Sequence, residues 1–206
     1  MPTTTQQPPA ANPATRRIFL AVGIVLVLLF AYLAYELLQP KHPRGGDPTN
    51  HIAALQAVKT YDYVGNEHTK DAVRYAVTPP AGGPHDPVWE DCGVYTQPIR
   101  NENAVHALEH GTVWITYRPG LDAADVSTLE SALGTVKSKK TILSPYPGLP
   151  SPVVVTVWNA QLDLPSASDP RLQRFIDFYG DGHTAPEAAM ASCAGGVHNY
   201  ASAAHP

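Results

Sequence analysis

Residues 101–111, Asn-Glu-Asn-Ala-Val-His-Ala-Leu-Glu-His-Gly, hold the densest group of side chains able to do chemistry in this chain. If the segment is helical, His106 and His110 stand at i and i+4 and project from one face. Glu102 sits one turn before His106 on that same face. Two imidazoles and a carboxylate so spaced can reach one cation without rearranging the chain. The string His106-x-x-Glu109-His110 also matches the H-x-x-E-H pattern of inverted zinc peptidases. In those enzymes the two histidines bind zinc and the glutamate acts as general base on a bound water. Such a site needs a long supporting helix and a third ligand downstream, whereas here Gly111 and a strand follow at once.

A second element, Pro79-Pro80-Ala81-Gly82-Gly83-Pro84-His85, is a rigid turn presenting one imidazole, a third nitrogen for the His106 and His110 pair. Zinc and copper both accept three nitrogens plus an oxygen or water, so donor type does not choose between them. The candidate ligands are therefore His85, His106 and His110. Glu102 or Glu109 serves as fourth ligand or as the partner that orients a ring. The competing reading has the same side chains hydrogen-bonded to backbone, buttressing the loop against the helix. His183, His198 and His205, in or near a Gly/Ala-rich C-terminus, read as solvated residues. Met190, close to Cys193, is a lone soft donor in a flexible tail.

The elements that must position these residues follow from periodicity. A short helix is expected over 102–110 with Gly111 after it, then a strand over 112–117 with Val113, Ile115 and Tyr117 on one side and Trp114 on the other. A helix over 121–133 starts at Asp122 and carries Val126, Leu129 and Leu133 on one stripe. Two β-branched runs, 141–144 and 153–158, flank a Pro-Tyr-Pro-Gly-Leu-Pro turn. The segment 170–179 places Leu172, Phe175, Ile176 and Tyr179 at i, i+3, i+4 and i+7 of a last helix. Residues 51–75 are mixed, a strand or irregular segment, and 78–97 read as a long ordered loop broken by Pro and Gly. The order β-α-β-β-α implies an α+β domain, a small mixed sheet with helices on one face and long Pro/Gly-rich loops. There is no repeat, no Walker loop and no dinucleotide fingerprint.

Composition narrows the function classes. The 206 residues suit one domain plus an anchor, and 21 prolines favour short elements and long loops. From residue 49 onward 10 Lys and Arg stand against 16 Asp and Glu, a net charge of −6. That surface does not attract phosphate backbones, and no nucleic-acid partner is expected. All nine histidines lie after residue 41.

Residues 1–17 are Pro-, Thr-, Gln- and Ala-rich and are expected to be a disordered cytoplasmic tail. An uncharged apolar run then covers 18–35 and, with Glu36 alone added, reaches 38. That meets the roughly 20 residues a bilayer-spanning helix needs. A cleaved signal peptide is the alternative, but the run exceeds the usual apolar core of about 7–15 residues and no small-x-small site ends it. Arg16 and Arg17 before the run are matched by Lys41 and Arg44 after it, so the positive-inside count ties. The short N-terminus and the two cysteines favour a C-terminal domain outside the cytoplasm. Cys92 and Cys193 lack CxxC spacing; in an oxidising compartment they would form a disulfide, and otherwise they are buried thiols. The expected layout is tail 1–17, transmembrane helix 18–38, linker 39–50, extracytoplasmic domain 51–196 and flexible tail 197–206. The chain would sit in the cell membrane as a single-pass protein, with a membrane-protein partner a further possibility.

These residues resemble the bacterial family called domain of unknown function 3105. The resemblance rests on Pro79-Pro80-x-Gly-Gly-Pro-His85, Trp89, Cys92-Gly93-Val94-Tyr95, Glu102-Asn103-x-Val105-His106-x-Leu108-Glu109-His110-Gly111 and Val113-Trp114-Ile115-x-Tyr117. Ser144-Pro145-Tyr146-Pro147, Pro186-Glu187 and Cys193-x-Gly-Gly extend it over about 51–196. It implies membrane-anchored or secreted proteins of the actinobacterial envelope with no established activity. Residues 188–192 depart from the pattern, which is usually shorter before Cys193, and the tail after Gly196 is individual. The leading functional expectation is a membrane-tethered domain binding copper or zinc. An accessory or scaffold domain of a membrane complex is the alternative, and a zinc-dependent hydrolase the third.

Overall fold

The computed structural model describes residues 55–189 and 191–198, together with 26 and 28–30 of the apolar N-terminal run. The expected tail, the linker, the rest of the expected anchor, Met190 and His205 lie outside the described residues. Among the described residues no helix is long and apolar enough to cross a membrane. The chain divides into two units, and the folded domain belongs to the one spanning Pro48–Pro206.

That domain is built on a mixed six-stranded sheet of β1 (Lys59–Thr60), β2 (Gly93–Val94), β3 (Val113–Tyr117), β4 (Thr141–Pro145), β5 (Val153–Val157) and β6 (Ala160–Leu164), in the order β1-β6-β5-β3-β4-β2. Strands β2, β4 and β3 run parallel; β3, β5, β6 and β1 pair antiparallel. Three helices complete it: α1 (Asn101–Glu109), α2 (Ala123–Leu133) and α3 (Pro170–Tyr179).

The central strands are apolar on both sides because both faces of the sheet are covered. Strand β5, Val-Val-Val-Thr-Val, is buried throughout. Val113, Ile115 and Leu143 meet Leu129 and Leu133 of α2 and Phe175 and Ile176 of α3 on one face. Trp114 and Ile142 meet Ala104, Val105 and Leu108 of α1 on the other. The expectation of helices on one face therefore holds for α2 and α3 and is corrected for α1. With polar residues at five of its nine positions, this helix carries only a short apolar stripe, Ala104, Val105 and Leu108, by which to place it. The expected element order also lacked β6, a five-residue strand whose Ala160, Leu162 and Leu164 alternate with Gln161 and Asp163 over too short a run to stand out. Val157 pairs with Ala160 across a two-residue turn in which Asn159 takes φ 64°, a conformation asparagine tolerates.

The outer layer over α1 consists of the loop 61–91 and the C-terminal strap 181–198. The loop is tied to the sheet end by Asn159 N–H to the Ala81 carbonyl (2.9 Å) and Gln161 Nε2 to the Pro79 carbonyl (2.8 Å). Gly82 has φ +148° and leaves no room for a Cβ, which would meet Tyr63 Cδ2 at 2.6 Å. The strap is stapled to the loop layer by the Cys92–Cys193 disulfide, with Cα atoms 5.3 Å apart. It is held further by Glu187 N–H on the Glu109 carbonyl (3.1 Å) and Val197 N–H on the Trp89 carbonyl (3.0 Å). Val197, expected in the flexible tail, thus belongs to the folded layer.

Candidate metal centre

Helix α1 is short and almost entirely buried, so its polar side chains must find partners inside the domain. They find them in the outer layer. His68 and His85 lie on neighbouring extended segments, zipped by Thr69 N–H to the His85 carbonyl (2.7 Å) and His85 N–H to the Glu67 carbonyl (2.9 Å). His106 and Glu109 approach from α1, one turn apart. The four residues each offer a ligand atom, and those atoms all lie within 4.8 Å of one another. The three rings form a near-equilateral triangle, with centroids 4.9 Å (His68 to His85), 4.9 Å (His85 to His106) and 5.0 Å (His68 to His106) apart. His85 and Glu109 side chains are fully buried, while that of His68 is 40% exposed and forms the solvent edge.

Backbone carbonyls set which nitrogen each ring presents. His85 Nδ1 donates to the Gly83 carbonyl (2.8 Å) and His106 Nδ1 to the Asp86 carbonyl (2.6 Å). A neutral ring donating from Nδ1 carries its lone pair on Nε2, and in His85 that atom stands 2.9 Å from Glu109 Oε2. Glu109 is fixed likewise: Oε1 accepts the Asn66 N–H at 2.6 Å, leaving Oε2 to face the rings. Gly65 permits this, since a Cβ there would run into Glu109 Oε1 and Pro186. Glu109 Oε2 lies 2.9 Å from His85 Nε2 and 4.0 Å from His68 Nε2. The first pair is an ion pair when His85 is protonated, although its alignment falls short of a well-formed hydrogen bond. Tetrahedral coordination at 2.0–2.1 Å spaces neighbouring ligand atoms about 3.3–3.4 Å apart, so a cation would draw together ligand atoms that stand up to 4.8 Å from one another, by about an ångström at the widest pair.

The electrostatics keep a carboxylate beside the rings. Burial would raise the Glu109 pKa, but His85, the Asn66 N–H and the charge of His106 outweigh it and hold the carboxyl below its ordinary range. Burial, together with the neighbouring His85 and His68, lowers His106, against the Asp86 carbonyl and Glu109 that favour its charged form. His85 is also pressed down by burial, yet Glu109 and the Gly83 carbonyl more than offset this and raise it.

His106 belongs to a second group as well. His106, His110 and Glu187 offer ligand atoms within 4.8 Å of one another, with His110 Nε2 3.6 Å from Glu187 Oε2. His110 Nδ1 faces the Ser192 carbonyl at 3.2 Å, so its Nε2 is again the free nitrogen. Burial and His106 lower the His110 pKa.

Of the residues singled out in the sequence, His85, His106 and Glu109 come together. His110 does not join them; it shares a group with His106 but not with His85, so the expected three-histidine site is divided. Glu102 is absent from both groups. Its Oε1 accepts the Val73 N–H (2.8 Å) and its Oε2 pairs with Arg100 Nε (3.2 Å), so it anchors the loop to the first turn of α1. His68 and Glu187 were missed. His68 lies in an aperiodic stretch whose only signal is the chain's richness in histidine, and Glu187 was visible only within the family string Pro186-Glu187. His183 and His198 are exposed, as expected.

The family described as "Protein of unknown function (DUF3105)" matches residues 67–195, more than half of the chain, and the chain belongs to that family. No curated protein and no solved structure matches it.

Proposed function

We propose that this domain binds one transition-metal ion, copper or zinc, through His68, His85, His106 and Glu109, and does so outside the cytoplasm on a membrane anchor formed by residues 18–38. The observation that carries the metal reading is the convergence of His68, His85, His106 and Glu109, whose ligand atoms all lie within 4.8 Å of one another. His85 and Glu109 are fully buried and each is oriented by its own backbone hydrogen bond, so these donors are held in place before an ion arrives. Three nitrogens and one oxygen suit Zn²⁺ or Cu²⁺, and the thiols that would favour softer ions are joined as a disulfide. The anchor is supported by the apolar run and by Leu26, Leu28, Leu29 and Phe30, which are helical with exposed side chains.

A zinc hydrolase is the second reading, because Glu187 supplies the downstream ligand that the inverted peptidase pattern requires beside His106 and His110. Against it, the general base of that pattern would be Glu109, which is fully buried and fastened to Asn66, so it has no path to a substrate water. The groove bounded by Pro98, Tyr117, Leu121 and Val126 contains none of these residues. Binding is therefore favoured over hydrolysis.

Elemental analysis of full-length protein purified without chelator tests the reading. One copper or zinc per chain is expected, in protein that stays with the membrane fraction after a high-salt wash. Folded protein that carries no metal and takes up neither ion on titration would leave an accessory or scaffold domain, with the histidines as buttresses.

A further inference from the structure

The two His/Glu groups meet at a single side chain. His106 lies 4.9 Å from His85 and 5.0 Å from His68 on one side, and 4.5 Å from His110 on the other, measured between ring centroids. Its Nδ1 is committed to the Asp86 carbonyl at 2.6 Å, so only Nε2 can ligate. One nitrogen lone pair serves one ion at a time. Resting on the metal reading above, we infer that the domain has two mutually exclusive metal positions: the four-donor site of His68, His85, His106 and Glu109, and a three-donor site of His106, His110 and Glu187 for the same class of divalent ion.

The second position is built in the manner of the first. The His110 side chain is 6% exposed, and the Ser192 carbonyl orients the ring so that Nε2 faces Glu187. The Glu187 side chain, 36% exposed, forms the solvent edge, as His68 does for the four-donor site. The carboxylates ride on segments joined directly by Glu187 N–H to the Glu109 carbonyl (3.1 Å). An ion moving between positions exchanges one carboxylate for another, so the charge of the occupied site does not change. His106 stays bound throughout, and the remaining ligands can be replaced one at a time. Stepwise exchange of this kind is what passing an ion onward requires, because the ion is never stripped bare. The four-donor position is the tighter, having one more ligand and two that are fully buried.

Titrating full-length protein with Co²⁺, whose visible absorption reports its ligand set, tests this. Wild type should bind one ion per chain. Glu109→Gln should still bind one, at least tenfold more weakly and with a changed spectrum, and Glu109→Gln with Glu187→Gln should bind none. The Glu187→Gln single variant should keep the wild-type spectrum. Two ions bound at once by wild type would overturn the inference. So would a folded Glu109→Gln variant that binds none, or a double variant that binds as Glu109→Gln does. Wild type binding no ion at all would remove the metal reading itself, a different outcome from any of these.

Discussion

Glu109 Oε2 stands 2.9 Å from His85 Nε2 with both side chains wholly shielded from solvent, a contact between α1 and a loop 24 positions earlier in the chain. Each partner is held by a separate backbone group, His85 through the Gly83 carbonyl and Glu109 through the Asn66 N–H. Their approach is therefore imposed by the fold, which sets a buried imidazole against a buried carboxylate.

Replacing Glu109 with Gln keeps the shape and the acceptor for Asn66 but removes the charge. The affinity for Zn²⁺ should fall by about 10–100-fold or more, the scale seen when groups supporting a metal are lost. Urea stability of the metal-free protein should change by less than about 1 kcal/mol, because the amide can still accept from Asn66. Chelator competition and urea melts on one preparation check both. An unchanged affinity would remove Glu109 from the ligand set.

His68→Ala separates binding from folding. The ring is 40% exposed and makes no side-chain hydrogen bond among those described, so the substitution should alter stability by no more than about 0.5 kcal/mol. Affinity for Zn²⁺ should nevertheless drop at least tenfold. His85→Ala, which opens a hole at a fully buried position, should lower both. If His68→Ala left affinity intact, the cluster would be a buttress with a bystander at its rim.

The three central strands β3, β4 and β5 and the helices α2 and α3 were legible because they bury apolar residues in runs or at regular intervals, whereas β2 and β6 were not and β1 stood only as one alternative. The stripe Leu172, Phe175, Ile176 and Tyr179 is buried as its spacing implied. Helix α1 was legible as a helix and not in its placement, since only its inner side packs on the sheet through Trp114 and Ile142, and no period encodes which loop will cover the rest. The site was half legible for the same reason. His106 and Glu109 sit on a local element whose spacing fixes their directions. His68 and Glu187 reach the cluster only through contacts distant in sequence, among them the His68 to His85 bridge and the Glu187 to Glu109 backbone bond. Glu102 misled because helical spacing gives a face but not a partner, and Arg100 with the Val73 N–H claimed it first.

Asp169 supplies a prediction about pH. It caps α3 by accepting the Arg171 N–H at 2.9 Å and meets the Arg171 guanidinium at 2.8 Å. That guanidinium, against burial, holds its pKa below the ordinary 3.8. A group with a depressed folded pKa contributes stability above its unfolded pKa and loses it as pH falls through the folded value. Asp169→Ala should therefore destabilise the domain by about 1 kcal/mol near neutral pH. The difference from wild type should shrink as the solution is taken below pH 3.8. Urea melts at neutral and acid pH measure it, and a pH-independent difference would assign the effect to packing alone.

The disulfide supplies the last prediction. Cys92 and Cys193 are 101 positions apart, and closing so long a loop removes entropy from the unfolded chain equivalent to about 4.7 kcal/mol, with about 2–5 kcal/mol the usual loss on removing a native disulfide. Cys92→Ala with Cys193→Ala should therefore lower urea stability within that range. The strap is also held by Val197 on Trp89, by Glu187 on Glu109, and by Lys140 Nζ on the Ala188 carbonyl (2.7 Å), so it should remain in place in the folded variant. The four-donor site takes none of its ligands from the strap, and Zn²⁺ affinity at that site should stay within about threefold of wild type, a change of roughly 0.7 kcal/mol. Melting and chelator competition on the same variant distinguish the outcomes. A folded variant that lost Zn²⁺ binding would show that the disulfide holds the metal centre itself, and one as stable as wild type would show that the strap contacts alone close the domain.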